Sequence, residues 1–253
     1  METLTHYPLR VFALAFVVLW LASLAGSWLR ARSGVGEERD ADLGVILGAS
    51  LTLLALIIGF SFSMATNRYD QRKTFEEAEA NAIGTEYLRA DVLPAPDAAR
   101  VRQLLTLYTR QRIAFYVTQD ATRLDQINSA TSQTQSALWV AVRVPASAQP
   151  TPVSALAVAG MNDVINSQGY TQAALWNRIP VAAWCLMGAI ALCCVVLFGY
   201  SSRSKLAGRE LAFVLPFIIA IAFFLIADID APRHGLIRVI PQNLESLAAS
   251  LGH

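Results

Sequence analysis

The sequence predicts an all-α integral membrane protein with four transmembrane helices and a helical extramembrane domain between the second and the third. Of its 253 residues, 55% are hydrophobic and only 15% are charged, a more apolar balance than that of an ordinary soluble domain. Four apolar runs are long enough to cross the ~30 Å hydrocarbon core of a bilayer. The polar segment at residues 67–179 has helical periodicity without strand-like alternation. A net charge of +1 gives no reason to expect nucleic acid as a partner.

The first two spans lie within residues 1–66. The first covers residues 11–29; a signal peptide is the alternative, because Ser23-Leu24-Ala25 could be cleaved, but the apolar part is long for one. The second covers residues 43–66 and is rich in small residues, which let helix backbones approach closely. It continues, with no Gly or Pro between residues 60 and 79, into a charged stretch. We therefore expect one uninterrupted helix that leaves the membrane and enters the extramembrane domain.

The extramembrane domain, residues 67–179, is predicted to contain four amphipathic helices. Apolar residues recur with a helical period over residues 68–89, 98–117, 122–142 and 153–167. Asp97 is the expected N-cap of the second of these helices. Three prolines predict a loop between the third and the fourth: Pro145, Pro150 and Pro152. Four acidic residues of the first helix are expected to form a solvated or intersubunit face: Glu76, Glu77, Glu79 and Glu86.

The third and fourth spans lie within residues 180–230, and the tail at residues 231–253 is expected to pack on the helical domain. The fourth span ends at Asp228 and Asp230, and acidic residues are costly at such a position. An intramembrane aspartyl hydrolase would need a second aspartate inside another span, and no other span contains one. A helix-terminating turn that pairs with arginine explains them better; the candidates are Arg68, Arg72 and Arg178.

Nothing in the sequence predicts an enzyme, a metal site or a cofactor. The three histidines are scattered, at His6, His234 and His253, and no zinc, phosphate-loop, dinucleotide or nucleophile motif is present. The three cysteines all lie in the third apolar run, where small packing residues are expected: Cys185, Cys193 and Cys194.

Two stretches of the chain resemble the bestrophin family of pentameric ion channels, and the whole chain resembles bacterial bestrophin-like proteins. The first combines Ile-Gly-Phe at residues 58–60 with Asn-Arg-Tyr-Asp-Gln-Arg at residues 67–72. The second combines Asp-Ile-Asp-Ala-Pro at residues 228–232 with Gly235, and is followed by Pro-Gln-Asn-Leu at residues 241–244. The acidic run that clasps calcium in animal bestrophins has no counterpart here, so calcium regulation is not carried over.

The resemblance implies a homo-oligomer, in that family a pentamer, which conducts inorganic ions through an axial pore lined by the second span. It assigns a pore-lining and gating face to Thr52, Leu56, Phe60 and Ser63. A charged pore exit is assigned to Arg68, Asp70 and Arg72. A structural turn is assigned to Asp228, Asp230, Pro232 and Gly235. It also implies a multi-pass protein of the bacterial inner membrane, in contact with lipid, with the helical domain and both termini in the cytoplasm.

Two alternatives remain open on the sequence alone. Leu56 and Phe60 could be ordinary lipid-facing or helix-packing residues, because apolar side chains at helical spacing occur in every membrane span. The protein could also be a non-conducting membrane scaffold or sensor whose helical domain binds a partner or a small ligand. The positive charges near the span ends are divided almost evenly between the two sides, so charge does not orient the chain.

Overall fold

The computed structural model describes residues 7–33, 38–201 and 207–251, which form eight α-helices and one turn of 3-10 helix at Ala90–Val92. The helices are α1 (Pro8–Ser33), α2 (Glu38–Arg89), α3 (Ala95–Val117), α4 (Ala121–Ala148), α5 (Pro152–Trp176), α6 (Val181–Ser201), α7 (Ala207–Asp230) and α8 (Gln242–Leu251). These described residues contain no β-strand, so the all-α prediction is confirmed. His6, His253 and residues 202–206 between the third and fourth spans lie outside them.

Four helical segments are long and apolar enough to cross a bilayer, which confirms the predicted four-span plan. They are α1, the apolar first part of α2, α6 in the segment Pro152–Ser201, and α7. The prediction of one uninterrupted helix through the second span is also confirmed, because α2 continues for 52 residues without a break. At ~1.5 Å per residue such a helix is about 78 Å long, more than twice the thickness of the hydrocarbon core.

Internal contacts divide the chain into two compact units, and the first comprises residues 1–68 and 178–238. In it α1 packs against α6 and α7. The α1–α6 crossing brings backbones into contact, since a Cβ atom on Gly26 would overlap the carbonyl oxygen of Val196, and one on Gly199 would overlap that of Ser23. Phenylalanine rings of α1 and α7 fill the other interface: Phe12, Phe16, Phe213, Phe217 and Phe224.

The second unit, which we call the helical unit, comprises residues 69–177 and 239–253. In it α3 packs against α4, α4 against α5, and α8 against α3. Every one of these elements contributes side chains to one apolar core, and so does the second part of α2: Ile83, Val101, Leu105, Leu138, Met161 and Leu244.

Two helix boundaries next to prolines differ from the prediction, whereas α2 ends at Arg89 as predicted. Pro94 stands at the N-cap position of α3 and Asp97 lies in the first turn, so the prediction of Asp97 as N-cap is wrong. Pro96 is accommodated there because the first-turn N–H that it lacks has no intrahelical partner in any case. The loop predicted at Pro145 is also wrong, because that residue lies inside the last turn of α4.

The helices flanking that connection are longer than predicted and are capped by side chains. Asp120 caps α4 by accepting a hydrogen bond from the backbone N–H of Arg123 at 2.8 Å. Thr151 and Ser154 form a capping box at the start of α5, where each side chain accepts a bond from the other's backbone N–H. The helix then continues to Trp176, beyond the predicted end at residue 167.

Candidate functional site

The candidate pore residues lie on an exposed face of α2, which we call the open face. At 3.6 residues per turn, Thr52, Leu56, Phe60 and Ser63 fall within an arc of about 80°. All four side chains are exposed in the single chain. The opposite side of the same span is buried at Leu54, Ser61 and Ala65. The span is therefore packed only along a narrow stripe opposite the open face and is exposed elsewhere in the single chain.

The open face continues beyond the apolar span as a polar surface. The residues at matching helical positions are all exposed: Asn67, Asp70, Thr74, Glu77 and Asn81. The charged composition from Arg68 onward marks the end of the part of α2 that a bilayer could cover. One face thus changes from apolar to polar along a single helix.

The structure places only one member of the predicted charged exit, Asp70, on the open face. Residues two positions apart on a helix point about 200° apart, so Arg68 and Arg72 project from the other side. A side-chain nitrogen of Arg68, Nη1, lies 3.9 Å from a carboxylate oxygen of Asp230. Arg72 is only 3% exposed, and its Nε donates to the carbonyl oxygen of Ala174 at 3.4 Å. The three side chains therefore do not leave α2 on the same face, and only Asp70 lies on the open face.

Asp228 organises the turn that follows α7. Its two carboxylate oxygens accept hydrogen bonds from the backbone N–H groups of Leu236 and Ile237, at 2.7 and 2.8 Å. Gly235 lies against the same helix end, because a Cβ atom there would overlap the carbonyl oxygen of Asp228. Pro232 is half-buried within this turn. The Asp228 carboxylate thus has a structural role, because it satisfies two backbone N–H groups of the turn.

Asp230 holds the end of α7 to the residues that precede α6. Its side chain is 1% exposed and accepts from the backbone N–H of Ile179 at 3.2 Å. The Nε atom of Arg178 lies 3.4 Å from the second carboxylate oxygen, Oδ2. The Nη1 atom of Arg68 approaches the first oxygen, Oδ1, of the same carboxylate. The candidate arginines Arg68 and Arg178 thus converge on this one buried acid.

The acidic residues of α2 contradict the expected solvated or intersubunit face. Glu76, Glu79 and Glu86 are all buried inside the helical unit, and of the four only Glu77 is exposed. The three share the helical period of Ile83, which is part of the apolar core. The shared period could have indicated this burial from the sequence, because a charged residue on the same helix face as core residues must have partners inside the fold.

Glu79 forms a buried ion pair with Arg112 of α3, which sequence reasoning missed. Both side chains are completely buried, and Arg112 donates from Nε and Nη2 to the two carboxylate oxygens. Thr171 and Tyr116 also donate to Glu79, at 3.2 and 3.4 Å. Burial alone would lower the pKa of Arg112, but the Glu79 carboxylate, together with Tyr108 and Tyr116, raises that pKa by more. Burial, and then Glu79, raise the pKa of Tyr116.

Glu76 caps the C-terminal helix α8. Its carboxylate accepts from the backbone N–H of Leu244 at 3.0 Å and from the side-chain amide of Asn243 at 2.6 Å. A negative charge at a helix N-terminus satisfies a free N–H group and interacts favourably with the helix dipole.

Across residues 7–33, 38–201 and 207–251, no group of three or more His, Cys, Asp or Glu side chains is placed to hold a metal ion. The arrangement offers instead an exposed helix face together with acids that fix the surrounding helices.

Comparison with known proteins identifies the family. The bestrophin-like domain model matches residues 11–244. A crystal structure of a bacterial bestrophin homolog from Klebsiella pneumoniae superposes with a TM-score of 0.64 at 12% identity, covering 95% of this chain and 98% of that one. A point mutant of a bacterial bestrophin homolog from that organism gives 0.65 at 12% identity, with 96% and 97% covered. A search of curated proteins found no match.

At 12% identity the structural likeness establishes the fold, and the family assignment rests on the sequence match. That match extends from within α1 to within α8, and so includes all four spans and the helical unit. The resemblance noted from the motifs of the second and fourth spans is therefore confirmed, and the chain belongs to the bestrophin-like domain family.

Proposed function

We propose that this chain is one subunit of an oligomeric ion channel of the inner membrane in which the open face of α2 lines the pore. The observation that carries the proposal is the exposure of Leu56 and Phe60, which are 53% and 65% exposed on a face opposite to the packed side of the helix. One helix face cannot enclose a path for ions, so several copies must surround an axis. By family resemblance the number of copies is five.

The residues of the open face suit different parts of such a path. Rings of Leu56 and Phe60 would form an apolar constriction, and narrow apolar constrictions gate by expelling water. Thr52 and Ser63 would place hydroxyl groups on either side of it. Beyond the span, Asp70 would form a ring of carboxylates that acts on permeating charge. Arg68 and Arg72 are outside this pathway in the proposal, because their side chains leave the helix on its other side.

The remaining assignments are part of the same proposal. Residues 1–66 and 180–230 form the membrane part, residues 67–179 form a cytoplasmic helical domain, and the tail from residue 239 packs on that domain. Both termini then lie in the cytoplasm. A cysteine at exposed Ser136, in a variant without the three native cysteines, tests this orientation. An impermeant thiol reagent should label it in inside-out vesicles and should not label it in right-side-out vesicles.

Planar-bilayer recording of the purified oligomer tests conduction, and Phe60→Ala is the informative variant. Truncating Phe60 widens the apolar ring, so unitary conductance or open probability should rise. Phe62→Ala is the matched control, because Phe62 is also exposed but leaves the helix about 200° away. Assembled wild type and Phe60→Ala that are equally silent would favour the scaffold or sensor alternative. Equal effects of both substitutions would show that a different face lines the pore.

A further inference from the structure

Glu86 is a buried carboxyl group with no hydrogen-bond partner among the described residues. It lies in the last turn of α2, on the packed side of the helix, and is fully buried. Neither of its oxygens has a donor, in contrast to the fully bonded carboxylates of Glu76 and Glu79. An ionised carboxylate without partners is strongly disfavoured in a protein interior, and such a group takes up a proton instead.

The space that holds this carboxyl group is made by a glycine of α5. A Cβ atom on Gly160 would overlap both Oε2 of Glu86 and the guanidinium group of Arg89. The carboxyl group therefore packs directly on the α5 backbone, in a volume that any larger residue at position 160 would fill. If the Glu86 side chain moved, it would leave a gap at this contact. A change in protonation that displaces the side chain would therefore also change the packing of α5 against α2.

Two charged groups act on Glu86, one from each of the packed helices. Arg89 belongs to α2 and lowers the pKa of the carboxyl, whereas Asp163 belongs to α5 and raises it. Among the described residues, no charged group of α3 or α4 contributes to the shift of this pKa. Burial is the largest influence, and it raises the pKa of Glu86 to about 8.

We propose that Glu86 is a proton-binding site inside the helical unit, neutral when packed against Gly160, and that loss of the proton loosens the contact between α5 and the end of α2. The sign follows from linkage. Because the pKa in the folded state exceeds the usual value of 4.5, the stabilisation is complete below about pH 4.5. It declines as the pH rises and is lost as the pH passes the folded value of about 8. The inference does not depend on conduction.

Thermal unfolding of the purified full-length protein from about pH 5 to about pH 9 tests the proposal. The wild type should lose roughly 5 °C or more in Tm relative to Glu86→Gln across this range, because the amide cannot ionise. Glu77→Gln is the matched control: this exposed carboxyl on the same helix should leave the wild-type pH profile unchanged. Parallel profiles for wild type and Glu86→Gln would overturn the proposal.

Infrared spectroscopy of the wild type gives an independent measurement that holds even if Glu86→Gln does not fold. A protonated carboxyl C=O band should persist near pH 7, where ordinary carboxyl groups are ionised, and should disappear as the pH passes about 8. If no protonated carboxyl is present near pH 7, Glu86 is ionised in the folded protein and the proposal is wrong. Neither measurement depends on whether the protein conducts ions. A silent channel would therefore count against the channel proposal alone, and an unchanged pH profile would count against this inference alone.

Discussion

Replacing Glu79 with glutamine should strongly destabilise the helical unit, because it leaves the guanidinium group of Arg112 buried without an opposite charge. Both side chains are completely buried. Among the described residues the guanidinium otherwise faces aromatic rings, such as that of Phe115, whose centroid is 4.2 Å from the Cζ atom. Glutamine keeps the shape and one acceptor oxygen for Thr171 and Tyr116, but its NH2 group then faces the Nε donor of Arg112, so the change removes both the charge and that hydrogen bond.

The expected magnitude follows from the geometry of a fully buried pair. Removing one partner of such a pair costs about 3–5 kcal/mol, because the remaining charge stays desolvated. For a chain of this length each kcal/mol lowers Tm by about 2–4 °C, which gives a decrease of about 6–20 °C. Replacing both residues, as Glu79→Leu with Arg112→Met, should cost far less than the sum of the single changes, because no uncompensated charge remains.

Circular dichroism during thermal unfolding of the purified protein measures these changes. Glu77→Gln controls for altering a carboxylate on the same helix, and its Tm should stay within about 1 °C of the wild type because exposed charges contribute little. A Tm for Glu79→Gln that equals that of this control would refute the argument from burial. So would a double variant whose loss equals the sum of the two single losses.

Three further outcomes are expected. Gly199→Ala should reduce the yield of folded protein or lower Tm sharply, because the added methyl group overlaps the α1 backbone. Gly188→Ala on the same helix is the control, because its methyl group meets open space and should be tolerated in the same assay. Glu76→Ala removes the cap of α8, so limited proteolysis should release the tail faster than in the wild type or in Glu77→Ala. Asp70→Asn should shift the ratio of cation to anion permeability towards anions, as reversal potentials in a salt gradient would report; an unchanged ratio would place Asp70 off the pathway.

The spans and the unbroken course of α2 could be predicted because they depend on composition along the chain alone. Apolar length decides whether a helix can cross a bilayer, and the absence of Gly and Pro between residues 60 and 79 allows a helix to continue. The open face also follows from periodicity once the buried side is known. The packed side of α2 depends on tertiary contacts, which the local pattern does not reveal. Those contacts bury Arg72 and leave Asp70 exposed.

The partners of buried charges and the ends of helices could not be predicted in the same way. Glu79 meets Arg112 and Thr171, which are 33 and 92 positions away along the chain, so no local pattern links them. Pro96 lies in the first turn of α3, where the missing N–H costs little. Pro145 lies in the last turn of α4, where it removes one i→i−4 hydrogen bond near the helix end, and from sequence both prolines resemble helix breakers.

The uninterrupted course of α2 also restricts how the length of this protein can vary. Because the helix turns 100° per residue, one residue inserted between Glu79 and Ile83 would rotate the rest of α2 by that angle relative to the part before it. Ile83 and Glu86 would then leave the core of the helical unit while exposed residues entered it. Insertions of about seven residues nearly restore the phase, at the cost of about 10 Å of added length. We therefore expect related chains to differ in length in the connections between helices and to keep the spacing within α2.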